Sequence, residues 1–298
     1  MTYTAQKWGD QEAYLIPDDG KYRTINFSGG RSSAYMLHNV WQAHDGVLPE
    51  RVKVIFCNTG KEREETLEFV RRVGEAFNLE IVWLEYRYRK DAAGGKADPK
   101  RVHKVVTFET ASRHGEPFDQ LNQQRKMLPN VKTRSCTTEL KVMTTRRYFT
   151  RDLGWPRKQV FNLVGYRYDE PRRWQKAMLE ECELRFPMVH ARVSEADVQE
   201  FWKSAPFDLG VHSARGNCDL CFLKGQRNLI QTIRENPGSA DWWIEQEANS
   251  FRDSLRKPSV ARFSKRFSYA ELKEAATTQI DLGLIDDTPE ATDCFCTD

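Results

Sequence analysis

An α/β fold is what this chain of 298 residues predicts: a doubly wound, mostly parallel sheet followed by a helical, cysteine-bearing C-terminal extension. Three observations predict it. Short apolar runs alternate with segments whose apolar residues recur at helical spacing, the pattern of a parallel sheet covered on both faces. A Gly-Gly loop stands between the first such run and the first such segment. A polar region with a CxxC pair and further cysteines follows the last of them.

Arg23–Phe27 is a short strand, and it leads into Ser28-Gly29-Gly30. Ser33–Gln42 carries apolar residues at helical spacing, completing a strand–loop–helix unit. Arg51–Cys57 is a second strand, ending at Asn58-Thr59-Gly60. Glu64–Phe77 reads as a helix with Leu67, Val70, Val73 and Phe77 on its apolar stripe, and Leu79–Glu85 as a third strand. Lys141–Leu153 is a helix with Pro156 beyond its end, and Lys158–Gly165 is a strand opening into Tyr166–Arg173. Ser194 is placed to N-cap a helix over Glu195–Ser204. Gly216–Gly225 is a cysteine-bearing loop, and Asn228–Leu272 reads as helical with Trp242 and Trp243 as packing anchors. The tail Asp281–Asp298 is acidic and reads as loosely ordered.

Composition narrows the class. Hydrophobic residues at 39% and charged residues at 30% are the balance of a water-soluble globular chain able to bury a core. A run of about 18 apolar residues would be needed for a membrane span, and none occurs, so no membrane partner is expected. The segment Met1–Gly20 is polar and lacks a secretory apolar run, so the expected compartment is the cytoplasm. In a reducing compartment a CxxC pair reads as metal-binding or catalytic before it reads as a disulfide. The net charge of +3 does not by itself demand nucleic acid. The basic stretches Tyr86–Lys104, expected as a mobile loop, and Arg113–Lys132 are where a nucleic-acid substrate would dock if there were one.

The loop Ser28-Gly29-Gly30-Arg31-Ser32-Ser33 carries the chemistry. An isolated Ser-Gly-Gly is an ordinary turn. Here it follows a strand and opens an amphipathic helix, so the glycines let backbone approach a ligand while the helix N-terminus favours an anion. Ser28, Ser32 and Ser33 add hydroxyl groups and Arg31 a charge. The pattern is neither a Walker loop nor a dinucleotide GxGxxG loop.

This SGGxxS pattern resembles the PP-loop enzymes, the adenine-nucleotide α-hydrolase group with its Rossmann-like sheet. Further segments narrow the resemblance to the phosphoadenosine phosphosulfate (PAPS) reductase family. They are Asn58-Thr59-Gly60 with Glu62 and Thr66, Arg134-Ser135-Cys136 with Glu139-Leu140-Lys141, Gly165-Tyr166-Arg167-Tyr168-Asp169-Glu170 with Arg172, and Cys218-Asp219-Leu220-Cys221. Together they are most similar to PAPS-reductase-like proteins of phages and prophages. The resemblance implies a nucleotide-binding domain over residues 1–205 and a metal-binding loop, helical region and tail over 206–298. It implies that Ser28, Gly29, Gly30 and Ser33 hold phosphate or sulfate, and that strand-end backbone at Phe27 and Phe56 frames the adenine. Asn58, Thr59, Gly60 and Gly165 would complete the nucleotide site. Arg167 and Arg172 would reach the anion with planar guanidinium groups.

The same resemblance implies an iron–sulfur, [4Fe–4S], centre on Cys136, Cys218 and Cys221, with Lys141 bringing a cation near both cluster and phosphate. Ser135 stands where the family has the first of two adjacent cysteines. The fourth ligand is then Cys294, Cys296, Cys182 or none, and Cys294 is taken as the nearest match. Zn²⁺, with His212 as a further ligand, and a redox-active dithiol remain as alternatives for the CxxC. Cys296 corresponds to the tail thiolate with which true sulfonucleotide reductases attack sulfur, although Asp293-Cys294-Phe295-Cys296 departs from their motif. Cys57 and Cys182 are expected to be structural. Two reactions fit: an ATP-dependent transferase reaction, in which Mg²⁺ neutralises pyrophosphate and sulfur replaces the adenylate, and an oxidoreductase reaction that releases sulfite from PAPS or its 3′-unphosphorylated relative APS. Either belongs to sulfur metabolism and would need a thioredoxin-like or other electron or sulfur donor. A non-catalytic nucleotide-binding module with a structural zinc is the reading from another class.

Overall fold

The structure is a computed structural model, and it describes residues 11–90, 100–180, 184–211, 218–249 and 262–278. Four strands run in the expected order, β1 (Tyr22–Asn26), β2 (Val52–Asn58), β3 (Ile81–Tyr88) and β5 (Val160–Val164), and two unexpected ones join them, β4 (Arg101–Val106) after β3 and the short β6 (Leu184–Arg185) after β5. The sheet has the order β4-β3-β2-β1-β5-β6. All neighbours are parallel except β3 and β4. Residues of β1 pair on both sides, Ile25 facing Val54 and Leu163, so β1 is central.

The expected fold class is therefore found, and alternation along β2 explains why both faces are covered. Val54 and Phe56 point to one face, where they pack with α1 (Arg31–Ala43), α2 (Glu64–Ala76) and α7 (Glu195–Ser204). Ile55 points to the other, against Val82, Leu84 and Tyr148. Glu195–Ser204 has the boundaries its sequence predicts, because Ser194 and Asp197 form a reciprocal capping box.

Two stretches differ from expectation. Tyr86–Lys104 is not all loop: β3 runs on to Tyr88, and Arg101–Val106 returns antiparallel as an edge strand. Charged residues on an edge are a common device against sheet-to-sheet pairing, and the charge masks the strand signal. Residues 91–99 lie outside the described residues. Arg113–Lys132 is likewise partly regular: Gly115, with φ of 87°, and Pro117 start α3 (Glu116–Arg125). Helix also begins earlier than Lys141. A π-wound segment, Cys136–Val142, runs into α4 (Met143–Arg147) and a second π turn, Tyr148–Asp152.

The C-terminal part carries α8 (Gln226–Glu235), α9 (Asp241–Asn249) and α10 (Tyr269–Thr277). These helices share a second core with α3 and the π-wound segment: Leu121, Leu140, Leu220, Leu229, Trp243 and Tyr269 are all buried in it. Trp242 and Trp243 do anchor this region, and Gly115 is confined by it, since a Cβ there would stand 2.5 Å from the Trp242 ring. No helix among the described residues is long and apolar enough to cross a membrane.

His38 on α1 is buried among Phe77, Phe201 and Trp41. Burial disfavours its charged form and pulls its pKa from 6.5 to about 4. Between those values the unfolded chain binds a proton that the folded chain excludes, so stability falls as pH falls. We expect about 3 kcal/mol to be lost from this group between neutral pH and pH 4. Urea unfolding of the wild type and of His38→Phe across that range checks it; equal slopes in the two would show that His38 is not responsible.

Candidate functional site

The chain runs outward from β1 to β2 and β3, then crosses back to β5 on the other side of β1. Open parallel sheets bind ligands at such a switch point, beyond the strand carboxyl ends. A cleft lies there. It is lined by Phe27 and Ser28 after β1, Ile55 and Cys57 on β2, Val164 and Gly165 at the end of β5, and Leu184 on β6. Lys141, Val142, Thr145, Arg146 and Phe149 roof it. About 970 Å³ of space lies within it, open solvent at its mouth included.

The phosphate-loop sequence turns into α1 beside this cleft. Gly29 has φ of 84°, and a Cβ on it would stand 2.7 Å from the Thr66 methyl and 3.2 Å from Phe56. Gly30 is the N-cap, and the first amide to bond back along the helix is that of Ala34, to Gly30 at 3.0 Å. Ser28 and Ser33 both line the cleft, and their hydroxyl oxygens are 2.8 Å apart. The Ser28 amide donates to Ser33 Oγ at 3.2 Å, and that hydroxyl donates to the Gly30 carbonyl at 3.0 Å. The loop is thus held in shape by its own side chains. Gly165 holds it from the other side: a Cβ there would stand 2.9 Å from Ser33 Cα.

Several expected nucleotide contacts have other employment. The Arg31 guanidinium turns away from the cleft, pairing with Asp208 and donating to the Val211 carbonyl at 2.7 Å. Arg167 supports the loop from behind. Its Nη1 donates to Ser32 Oγ at 3.0 Å, and Asp169, Glu170 and Glu195 surround the rest of its charge. Arg172 is exposed in the first turn of α5 (Pro171–Glu180). Its neighbour Arg173 is the buried one, stacked 4.4 Å over Tyr166 and paired with Glu170. The Phe56 side chain is core, because strand alternation gives the cleft to Ile55 and Cys57.

Asn58-Thr59-Gly60 forms a buried scaffold beyond β2. Asn58 Nδ2 donates to Glu85 at 2.7 Å and to the Ser112 carbonyl at 2.8 Å. The Gly60 carbonyl accepts from the Gly115 amide at 2.8 Å. Thr59 Oγ1 donates to Glu62 at 2.8 Å and lies 3.5 Å from Cys218 Sγ. Glu62 and Cys218 form a β-bridge, the Asp219 amide donates to the Lys61 carbonyl at 2.8 Å, and Lys61 pairs with Asp219 at 3.0 Å. The CxxC loop is therefore fastened to the end of β2.

Cys57 corrects another expectation. It is half-buried rather than core, lines the cleft, and lies 3.3 Å from Thr145 Oγ1. Burial pushes its thiol up to about 11, against the pull of Thr145 and Lys141. Burial also raises Cys218 well above the usual thiol range, with Glu62 adding to it and Lys141 opposing. Burial thus disfavours the thiolate, the nucleophilic form, at both.

Cys136 and Cys221 pack against the second core, and Cys218 is buried. Among the described residues no group of three or more His, Cys, Asp or Glu could hold a metal ion. The expected set Cys136, Cys218 and Cys221 does not form such a group. Cys182, His212, Cys294 and Cys296 lie outside the described residues.

Arg146, Thr145 and Phe149 are lining residues that motif reading missed. Their signal was present: positions 141, 142, 145, 146 and 149 repeat with a step of four on one helical stripe. The floor adds Asn26 and Asn162, the latter accepting from Thr24 Oγ1 at 2.6 Å.

The chain is similar to several known proteins. The uncharacterized nin region protein ORF290 of Escherichia phage lambda is 26% identical over 215 residues, which are 72% of this chain and 70% of that one. Among solved structures, the phosphoadenylyl-sulfate reductase of Candida auris in a phosphate complex is 16% identical, over 66% of this chain and 81% of that one, with a TM-score of 0.35. The U34-tRNA thiolase NcsA from Methanococcus maripaludis with its [4Fe-4S] cluster is 12% identical, over 93% and 89%, with a TM-score of 0.38. The NH3-dependent NAD synthetase of Campylobacter jejuni, with nitrate, is 14% identical, over 83% and 93%, with a TM-score of 0.37. The model of the phosphoadenosine phosphosulfate reductase domain matches residues 23–203, from the start of β1 through the loop and the cleft to the end of α7, and the chain belongs to that family.

Proposed function

We propose that this chain is an enzyme that binds an adenylyl nucleotide in the cleft between β1 and β5, with its phosphate or sulfate on the loop Ser28–Ser33. One observation carries the reading: the self-braced loop and the cleft at the switch point are a single surface, joined through Ser28, Ser33 and Gly165. The charge supports it, since Lys141 and Arg146 face the same space. The CxxC loop, fastened to the end of β2 with Cys218 Sγ 3.5 Å from Thr59 Oγ1, supports sulfur chemistry close by.

Two reactions compete, release of sulfite from a sulfonucleotide and ATP-dependent sulfur transfer, and they part at their products. The first yields sulfite together with AMP or its 3′-phosphorylated form; the second yields AMP and pyrophosphate, so sulfite and pyrophosphate are the products that separate them. Incubating the full chain with each nucleotide and a dithiol donor, then measuring sulfite, AMP and pyrophosphate, decides between them. Nucleotide binding without any product would leave a non-catalytic module. The iron–sulfur part of the family resemblance has its own test. Anaerobic purification yielding about four iron and four sulfide per chain would require Cys136, Cys218 and Cys221 to move together. Zinc without sulfide would make the CxxC a structural staple.

A further inference from the structure

Positive charge is gathered at one edge of the sheet. Of the chain's 46 Lys and Arg and 43 Asp and Glu, 14 and 5 fall between residues 100 and 158, so a fifth of the chain carries a surplus of nine while the remainder is acidic by six. The fold packs this segment together. β4 is the edge strand, and α3 is tied to it by Arg101, which donates to Gln124 at 3.3 Å. The second π turn folds back onto the same strand, with Arg151 donating to the Arg101 carbonyl at 3.1 Å. Arg101, Arg125 and Arg147 share the one carboxylate of Glu139, which leaves two positive charges over, and Arg101 and Arg125 stay partly exposed. Lys104 on β4 and Lys126 after α3 are exposed, and neither meets a carboxylate among the described residues. The other acids of the segment are engaged. Asp152 lies 2.6 Å from His103 Nε2, Asp119 accepts from Trp242 and Gln246, Glu116 from the His114 amide, and Glu109 from Thr107.

Such a face fits a polyanion, and its side chains say of what kind. Among the described residues the exposed large apolar side chains are Leu15, Val47, Val105 and Tyr168, and of these Val105 alone belongs to the face. The face therefore offers no exposed aromatic ring on which single-stranded bases stack, and no apolar stripe to enter a membrane surface. What it does offer, guanidinium and ammonium groups, is what phosphates take. β4 runs about 20 Å, a length over which a duplex carries roughly twelve phosphates. We infer that the face formed by β4, the end of α3 and the second π turn binds double-stranded nucleic acid through its phosphate backbone, without reading sequence. Arg147 reaches Glu139 on this face while its neighbour Arg146 lines the cleft, so α4 joins the two. The inference stands apart from the nucleotide reading, since the face is complete with the cleft empty.

The test is a fluorescence-anisotropy titration of the full chain, without nucleotide, against DNA and RNA duplexes of random sequence and one turn or more in length, in KCl from about 50 to about 200 mM. With about four phosphates contacted, affinity is expected to fall about a hundredfold across that range. The double variant Lys126→Gln/Arg151→Gln removes two exposed cations of the face and is expected to cut that fall to about tenfold. Lys203→Gln on α7, away from the face, is expected to leave the salt dependence as it is. Thermal unfolding verifies that the variants fold. Tighter binding of either duplex than of a single strand of the same length supports the inference, and the better of the two names the partner. No duplex binding at the lowest salt would overturn it, as would an unchanged salt dependence in the folded double variant. Equal or tighter binding of the single strand, of phosphatidylserine vesicles or of polyglutamate would also overturn it, giving the face to another polyanion. None of these outcomes touches the cleft, whose reading the product assay above decides.

Discussion

Replacing Glu139 with Gln is expected to lower the unfolding free energy by about 3–5 kcal/mol. The carboxylate is buried and accepts from Arg101 Nη1 at 2.8 Å, Arg125 Nη2 at 2.5 Å and Arg147 Nη2 at 3.0 Å. These arginines come from β4, α3 and α4, so one charge ties the edge strand to two helices. The amide in Gln keeps one acceptor but removes the charge that the three guanidinium groups share. Arg101 and Arg125 retain 22% and 30% side-chain exposure and can turn to water; Arg147, at 8%, cannot. The cost belongs mainly to Arg147, because breaking a buried pair from one side strands the other charge.

The effect should depend on pH. Burial alone would raise the pKa of Glu139, but hydrogen bonds from Arg147 and Arg125 and the charge of Arg101 outweigh it and hold the group below the usual glutamate value. A depressed carboxylate contributes stability above its unfolded pKa and loses it as pH falls through the folded one. Wild type and Glu139→Gln should therefore differ most at neutral pH and converge in acid. Urea unfolding at neutral pH and below pH 4 checks this, with irreversibly unfolded samples excluded. A gap below about 1 kcal/mol at neutral pH would mean that the arginines are solvated without Glu139.

What could be read from sequence follows the reach of the interactions involved. β1, β2, α1, α2 and α7 were legible because their signals are local: apolar period, a Gly-Gly turn, and a Ser cap with its partner three residues on. β4 was not, since Arg101, His103 and Lys104 hide a strand whose identity comes from pairing with β3. Gly165, singled out by the family resemblance, lies in the lining of the cleft. The partners of the arginines were not legible because they are distant in sequence: Arg31 finds Asp208 177 positions away, and Arg167 finds Ser32 135 positions away. Once those pairs form, the guanidinium groups brace the loop and leave the cleft to Lys141 and Arg146. Cys57 was read as core for the related reason that alternation within β2 cannot say which face carries a cleft.

Gly165→Ala is expected to abolish most nucleotide binding while leaving the fold intact. The added methyl would meet Ser33 Cα at 2.9 Å, Ser33 N at 3.2 Å and the Ser32 carbonyl carbon at 3.4 Å. All three are backbone atoms at the first turn of α1, so no side chain can swing aside, and the loop itself must shift. Its internal bonds from Ser28 to Ser33 and from Ser33 to Gly30 would carry the displacement to every group aimed at the ligand. Misplacing such groups by a fraction of an ångström to 1 Å costs up to about a hundredfold, so a loss of tenfold to a hundredfold in affinity is expected. Stability should move far less, because alanine also restricts the unfolded chain by about 0.4–1 kcal/mol. Gly238→Ala is the control: its new methyl would meet only the Asn236 side chain, at 3.6 Å. Nucleotide titration and thermal unfolding of both variants separate the two effects. Should Gly165→Ala bind AMP as the wild type does, the loop at Ser28–Ser33 would lose its assignment as the anion site. A parallel fall in affinity and unfolding temperature would instead make Gly165 a packing residue of the β5 end.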